Sequence, residues 1–118
     1  MTAAFTSPRS FTAYVERHAE RTAPETHSGL YESVAEFAEL EVREHADTTE
    51  SFEMIQPGAR NEWLSAGYAL AIAYRSLDGS AEYPFTLAEY VEGDVRRYRF
   101  AELERAIHAG RLWAVGLI

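Results

Sequence analysis

The sequence predicts an α+β fold: two N-terminal helices packed on a small, mostly antiparallel sheet, with one further helix near the C-terminus. An all-α bundle is the alternative. Two patterns lead there. Apolar residues recur at helical spacing up to about residue 45, alternate or form turn-bounded runs between residues 51 and 100, and return to helical spacing over 101–109. The size and apolar content add a third observation. The chain has 118 residues, is 47% apolar, and holds seven Tyr, six Phe and two Trp, enough surface for one core. Residues 1–118 are therefore read as a single domain.

The first element is a helix. Ser7 caps it with Pro8 at the first helical position, or Ser10 caps it instead. Phe11, Tyr14, Val15 and His18 fall at i, i+3, i+4 and i+7. Pro24 bounds it, because a residue preceding proline is pushed out of helical angles, and Pro24 to His27 is a short connection. Ser28 opens the second helix, Gly29 to His45. Leu30, Val34, Phe37 and Ala38 form its apolar stripe, flanked by Tyr31, Ala35 and Val42. Glu32, Glu36 and Glu39 form a separate acidic ridge at i, i+4 and i+7, and Arg43 follows Glu39 at i+4. Asp47-Thr48-Thr49 breaks the pattern.

Ser51 to Gln56 reads as a short strand stopped by Pro57-Gly58, after which Asn61 caps a short helix through Trp63 and Leu64. Gly67 to Arg75 fits two periods. Tyr68, Leu70, Ile72 and Tyr74 alternate with Gly67, Ala69, Ala71 and Ala73, whereas Trp63, Gly67, Leu70, Tyr74 and Leu77 fit a helical seam. The strict alternation and the Asp78-Gly79 turn favour a strand in a hairpin. Thr86-Leu87-Ala88-Glu89 spells a capping box, but Phe85–Val91 and Val95–Phe100, joined at Glu92-Gly93-Asp94, are rich in β-branched and aromatic residues and read as a second hairpin. Ala101 to Ala109 is a helix lined by Leu103, Ala106 and Ile107, with Gly110 as its C-cap. Leu112 to Ile118 then forms the last strand.

Several chemistries are excluded. With no Cys there are no disulfides, thiolate metal sites or thiol nucleophiles, and with no Lys there is no phosphate-binding P-loop. The Gly-rich dinucleotide fingerprint and the Gly-x-Ser-x-Gly nucleophile turn are also missing. His18, His27, His45 and His108 are too dispersed for a zinc site, and Glu41/His45 and Glu104/His108 supply at most two ligands each. No catalytic residue, metal or cofactor is assigned, and the chain is expected not to be an enzyme. Met1 to Arg9 lacks the apolar run of a secretory signal, and the longest apolar run, Gly67 to Tyr74, is far short of the roughly 20 residues of a membrane span, so a cytoplasmic location is expected.

Charge is the strongest asymmetry. Residues 16–53 hold eleven acids against Arg17, Arg21 and Arg43, which accounts for the whole formal charge of −8. Like charges gathered on one face repel each other and attract a basic surface. Arg96, Arg97 and Arg99 around Tyr98 could track a phosphate backbone, but the overall charge opposes direct nucleic-acid binding. The expected function is a non-enzymatic interaction module or inhibitor whose acidic face binds a basic protein, with a nucleic-acid-binding complex as the concrete case. Glu32, Glu36 and Glu39 centre that face. Acids four apart on a helix lie about 6 Å apart along its axis, whereas phosphates on one DNA strand rise about 3.4 Å each. Mimicry of DNA therefore needs a second element, either Glu16 and Glu20 or Glu50 and Glu53. In size, acidity and lack of Cys the chain is similar to phage-encoded anti-CRISPR and anti-restriction inhibitors of bacterial defence, a similarity of class with no motif behind it. The alternative is a small enzyme or ligand-binding domain with an aromatic pocket of Tyr68, Tyr74, Tyr83 and Trp113; a homodimer through part of the Tyr/Trp surface is a further possibility.

Overall fold

The computed structural model describes residues 25–49, 51–56 and 69–116, with side chains through Ala114. Five strands form one antiparallel sheet: β1 Glu25–His27, β2 Glu53–Ile55, β3 Ala69–Arg75, β4 Phe85–Val91 and β5 Asp94–Phe100, in the order β1-β5-β4-β3-β2. Two helices, α1 Val34–His45 and α2 Leu103–Gly116, lie on opposite faces of this sheet.

The alternation along β3 explains this layering. Leu70, Ile72 and Tyr74 point to the α1 face, where they pack with Phe37, Ala88, Tyr90 and Val95. Ala69, Ala71 and Ala73 point the other way, beneath Ala106, Ala109 and Trp113 of α2. Both faces of the strand are buried, so it lacks the polar half that makes an ordinary strand legible. Phe37 is the anchor of α1, fully buried, stacked on Tyr90 at 5.3 Å between ring centroids and tilted against Tyr31 at 5.6 Å.

Both hairpins match the expected strands. β4 and β5 are joined by Glu92 and Gly93, with φ of 47° and 98°, the left-handed pair of a two-residue hairpin turn. This pairing excludes both the helix that Thr86–Glu89 spells and the all-α bundle. Asp78-Gly79 lies in the β3–β4 connection, where a Cβ on Gly79 would come within 2.8 Å of the Pro84 backbone.

The N-terminal half departs from expectation. Two N-terminal helices on the sheet are not observed: Pro24 to His27 is not a plain connection, because residues 25–27 form the edge strand β1, paired with Val95–Arg97. The only helix before β2 among the described residues is α1. The expected helix over residues 8–23 and the short helix from Asn61 to Leu64 lie outside the described residues.

Helix α1 begins five residues later than Ser28 suggests. Gly29 has φ of 64°, its N–H donates to Asp94 Oδ1 at 3.2 Å, and Leu30 N–H donates to Gly93 O at 3.1 Å, so the hairpin turn holds this stretch out of helix. Ser33 is the N-cap: its Oγ accepts from Glu36 N at 3.1 Å, while Glu36 Oε1 accepts from Glu32 N at 3.2 Å.

The C-terminal end is also corrected. Gly110 does not stop the last helix, and residues 112–116 continue α2 rather than forming a final strand. Ala106, Ala109, Gly110 and Trp113 fall at i, i+3, i+4 and i+7 and face the sheet. A Cβ on Gly110 would collide with Ile55 Cδ1 and lie 3.1 Å from Leu87 Cδ1, so the glycine serves close packing and not a left-handed turn. Gly110→Val is expected to lower stability by about 2 kcal/mol through overpacking, read as a lower urea midpoint. An unchanged midpoint would show that α2 does not need this close approach.

Candidate functional site

Glu41 is the acid that changes the reading of the charged segment. It follows Phe37 by one helical turn on α1, so the geometry that buries Phe37 also points Glu41 at the sheet, where its exposure is 0%. Its carboxylate is fully engaged. Arg97 on β5 donates from Nε to Oε2 at 2.7 Å and from Nη2 to Oε1 at 2.8 Å, the parallel fork that guanidinium geometry favours. Tyr31 Oη donates to Oε1 at 3.1 Å and Tyr74 Oη to Oε2 at 2.7 Å. Each carboxylate oxygen therefore accepts two hydrogen bonds.

This arrangement fixes protonation states. Burial alone would raise the Glu41 carboxyl, but hydrogen bonds from Arg97 and Tyr74 and the Arg97 charge outweigh it and hold the group below its ordinary value. Burial, then the Glu41 charge, pushes the Tyr31 hydroxyl up to about 12 and drives Tyr74 higher still. The acid stays ionised and the phenols stay protonated near neutrality. Both Glu41 oxygens are taken up by donors from Arg97, Tyr31 and Tyr74, which joins α1 to the sheet.

A second polar cluster lies beside it on the same face. Arg99 donates from Nη1 and Nη2 to the Asp78 carboxylate at 3.1 and 3.3 Å and from Nη1 to Thr86 Oγ1 at 2.9 Å, and the Thr86 hydroxyl shares a hydrogen bond with Ser76. Arg97 and Arg99, two of the three arginines set beside Tyr98 as a phosphate-tracking face, are thus held by acids of this chain.

The expected partner-binding acids separate. Glu32 and Glu39 are exposed at and beyond the start of α1, Glu36 is half-buried, and Glu39 lies 3.7 Å from Arg43. Glu53 does not join them: it lies on the α2 face of the sheet, where Arg111 donates to it at 2.9 Å. Glu16, Glu20 and Glu50 lie outside the described residues. The acidic ridge acquires a different second element, the β4–β5 turn. Gly29 and Leu30 are bound to Asp94 and Gly93, which brings Glu92 and Asp94 to the start of α1. Burial raises the Tyr90 hydroxyl, and the charges of Glu36, Asp94 and Glu92 all add to that rise, so these acids share one neighbourhood. Among the described residues, none of Glu32, Glu36, Glu92 and Asp94 is in an ion pair.

The alternative aromatic pocket loses its lining. Tyr74 is 1% exposed on the α1 face and Trp113 2% exposed on the α2 face, with the sheet between them. Tyr83 lies in the β3–β4 connection, and Tyr68 is outside the described residues. No group of three or more possible metal ligands converges among the described residues.

Two signals in the sequence point to what was missed. Glu41 continues the Val34–Phe37–Ala38 stripe, and an acid on an apolar stripe needs a buried partner. Ser33-x-x-Glu36 is itself a capping box. That Glu92 and Asp94 come to α1 has no local signal, because the contact spans more than sixty residues.

Removing one member of a buried pair strands the other. Arg97→Met is expected to destabilise the fold by about 3–5 kcal/mol, and Glu41→Leu combined with Arg97→Met to recover much of that loss, in urea unfolding of the single and double variants. A double variant no better than Arg97→Met would remove the pairing argument. The stability that Glu41 contributes relative to Glu41→Gln is expected to be full above the ordinary glutamate value of 4.5 and to shrink as pH falls below it, because its folded carboxyl is depressed. Compared with protein-family models, curated proteins and solved structures, the chain matches none.

Proposed function

We propose that this chain is a non-catalytic interaction module that presents the acidic start of α1, together with the β4–β5 turn, to a basic protein surface. The partner chemistry is an Arg/Lys-rich groove of the kind that holds nucleic acid, and the proposed role is that of a small acidic inhibitor of a nucleic-acid-handling complex. The observation that carries the reading is the meeting of Glu32, Glu36, Glu92 and Asp94 from two separate elements, with none in an ion pair among the described residues. Like charges are gathered there at a cost in repulsion that a cationic partner would relieve. The pairing of Arg97 with Glu41 and Arg99 with Asp78 points the same way, because it withdraws two cations from any phosphate-binding role.

Glu36 caps α1 and Asp94 holds Gly29, so the test spares both. Glu32, Glu39 and Glu92 are reversed to Arg after folding of the triple variant is verified by circular dichroism. A basic partner is recovered by affinity capture from host lysate and titrated against both proteins over a salt series. The wild type is expected to bind with affinity that falls as salt rises, and the triple variant to lose at least about tenfold, two to three weakened charge contacts being enough. Equal affinity and equal salt dependence in the two proteins would refute the proposal.

A further inference from the structure

The second buried acid has a different character. Glu89 sits on β4, between β3 and β5, on the face that α2 covers. It is 5% exposed, and its Oε2 is buried with no hydrogen-bond partner among the described residues. Buried polar atoms in native proteins are nearly always satisfied, so an orphaned carboxylate oxygen beneath a helix calls for a reason.

Arg96 on β5 stands directly opposite Glu89. Paired positions in an antiparallel ladder share a face, with Cβ atoms about 5 Å apart, well within the reach of an arginine. Yet no ion pair joins the two among the described residues. Arg96 is exposed and instead reaches the hydroxyl of Tyr98, its neighbour two positions along the same face, where it lowers a pKa that burial and the Glu89 charge raise.

The surroundings offer Glu89 little else. β3 presents Ala69 and Ala71, and α2 presents Ala106, Ala109 and Trp113 to the sheet, while its own Glu104, Arg105, His108 and Arg111 are exposed. On β1, Thr26 is the residue opposite Arg96, with Glu25 and His27 on the other face. Among the described residues, Arg96 and Tyr98 are thus the titratable and charged groups on the strand face beside Glu89.

We infer that Glu89 and Arg96 form a proton-gated latch on the α2 face of the sheet. While Glu89 carries its proton, Arg96 stays outward beside Tyr98. When that proton leaves to solvent, Arg96 turns inward, pairs with the carboxylate and releases the Tyr98 hydroxyl. The physical drive is that an ionised, unpartnered carboxylate is costly beneath a helix, and one rotamer change of an exposed arginine supplies its partner. Burial, partly offset by the Arg96 charge, pushes the Glu89 carboxyl up to about 8, which sets the latch near the upper edge of the physiological range. Because this value lies above the unfolded one, 4.5, the folded chain holds the extra proton, and stability declines as pH rises from about 4.5 towards 8 and then levels off.

The experiment is a pH titration of the intact protein by NMR, following the Glu89 side-chain carboxyl carbon, the Arg96 Nε–Hε group and the Tyr98 ring. The three signals are expected to move together with one alkaline midpoint. Glu89→Gln should abolish the transition at Arg96 and Tyr98 and flatten the loss of stability between pH 5 and 8. Arg96→Gln should raise the Glu89 midpoint by about one pH unit or more, and Arg96→Lys should restore part of that shift. An ordinary carboxylate midpoint for Glu89, an Arg96 signal that does not follow it, or an unchanged midpoint in Arg96→Gln would each overturn the latch.

Discussion

One buried carboxylate ties α1 to the sheet. Glu41 brings a full negative charge to the interface between α1 and the sheet, and the structure answers it with a guanidinium from β5 and phenols from β3 and from the segment before α1. A charge in that position is tolerable only if every lone pair is met, so the four groups specify one another's placement. Leu70, Ile72, Phe37 and Tyr90 would tolerate α1 in several neighbouring positions, since apolar contact is not directional. The forked Arg97–Glu41 pair tolerates far fewer. It joins α1 to β5 at that point.

The opposite face is organised by size instead of charge. Ala69, Ala71 and Ala73 of β3 share a core with Ala106 and Ala109 of α2, and Ile55 and Leu87 fill the space a larger residue at 110 would take. Glu89 is the exception within this apolar layer, an acid with one unmet oxygen beneath a helix. The two buried glutamates are shifted in opposite directions, Glu41 downward by the hydrogen bonds and charge that outweigh its burial, Glu89 upward by burial that Arg96 only partly offsets. Their effects on stability run in opposite directions with pH.

Charge is redistributed by folding. Glu41 and Glu53 leave the acidic block, the first beneath α1 and the second to the far side of the sheet. Glu92 and Asp94 join it from a hairpin sixty residues away. Among the described residues, the acidic surface at the start of α1 is thus built from two elements rather than one ridge.

The strands from 69 to 100 were legible because alternation, β-branched residues and the Glu92-Gly93 turn are local signals that agree with the pairing. On α1, Val34, Phe37 and Ala38 keep the expected stripe, but Leu30 lies before the helix and is exposed, and Glu41 is buried with the stripe. The start of the helix was misjudged, since the hairpin turn, distant in sequence, holds Gly29 and Leu30. Gly110 packs against the sheet instead of ending the helix, and a glycine in either role looks the same in one dimension. The sequence by itself determined the size of the core, the antiparallel hairpins, the missing catalytic motifs and the net charge, all of which depend on composition or near neighbours. Which acids face water, which are buried, and which arginines they consume was decided only in three dimensions. Those outcomes depend on contacts such as Arg97 with Glu41 and Asp94 with Gly29, which exist only once the chain has closed on itself.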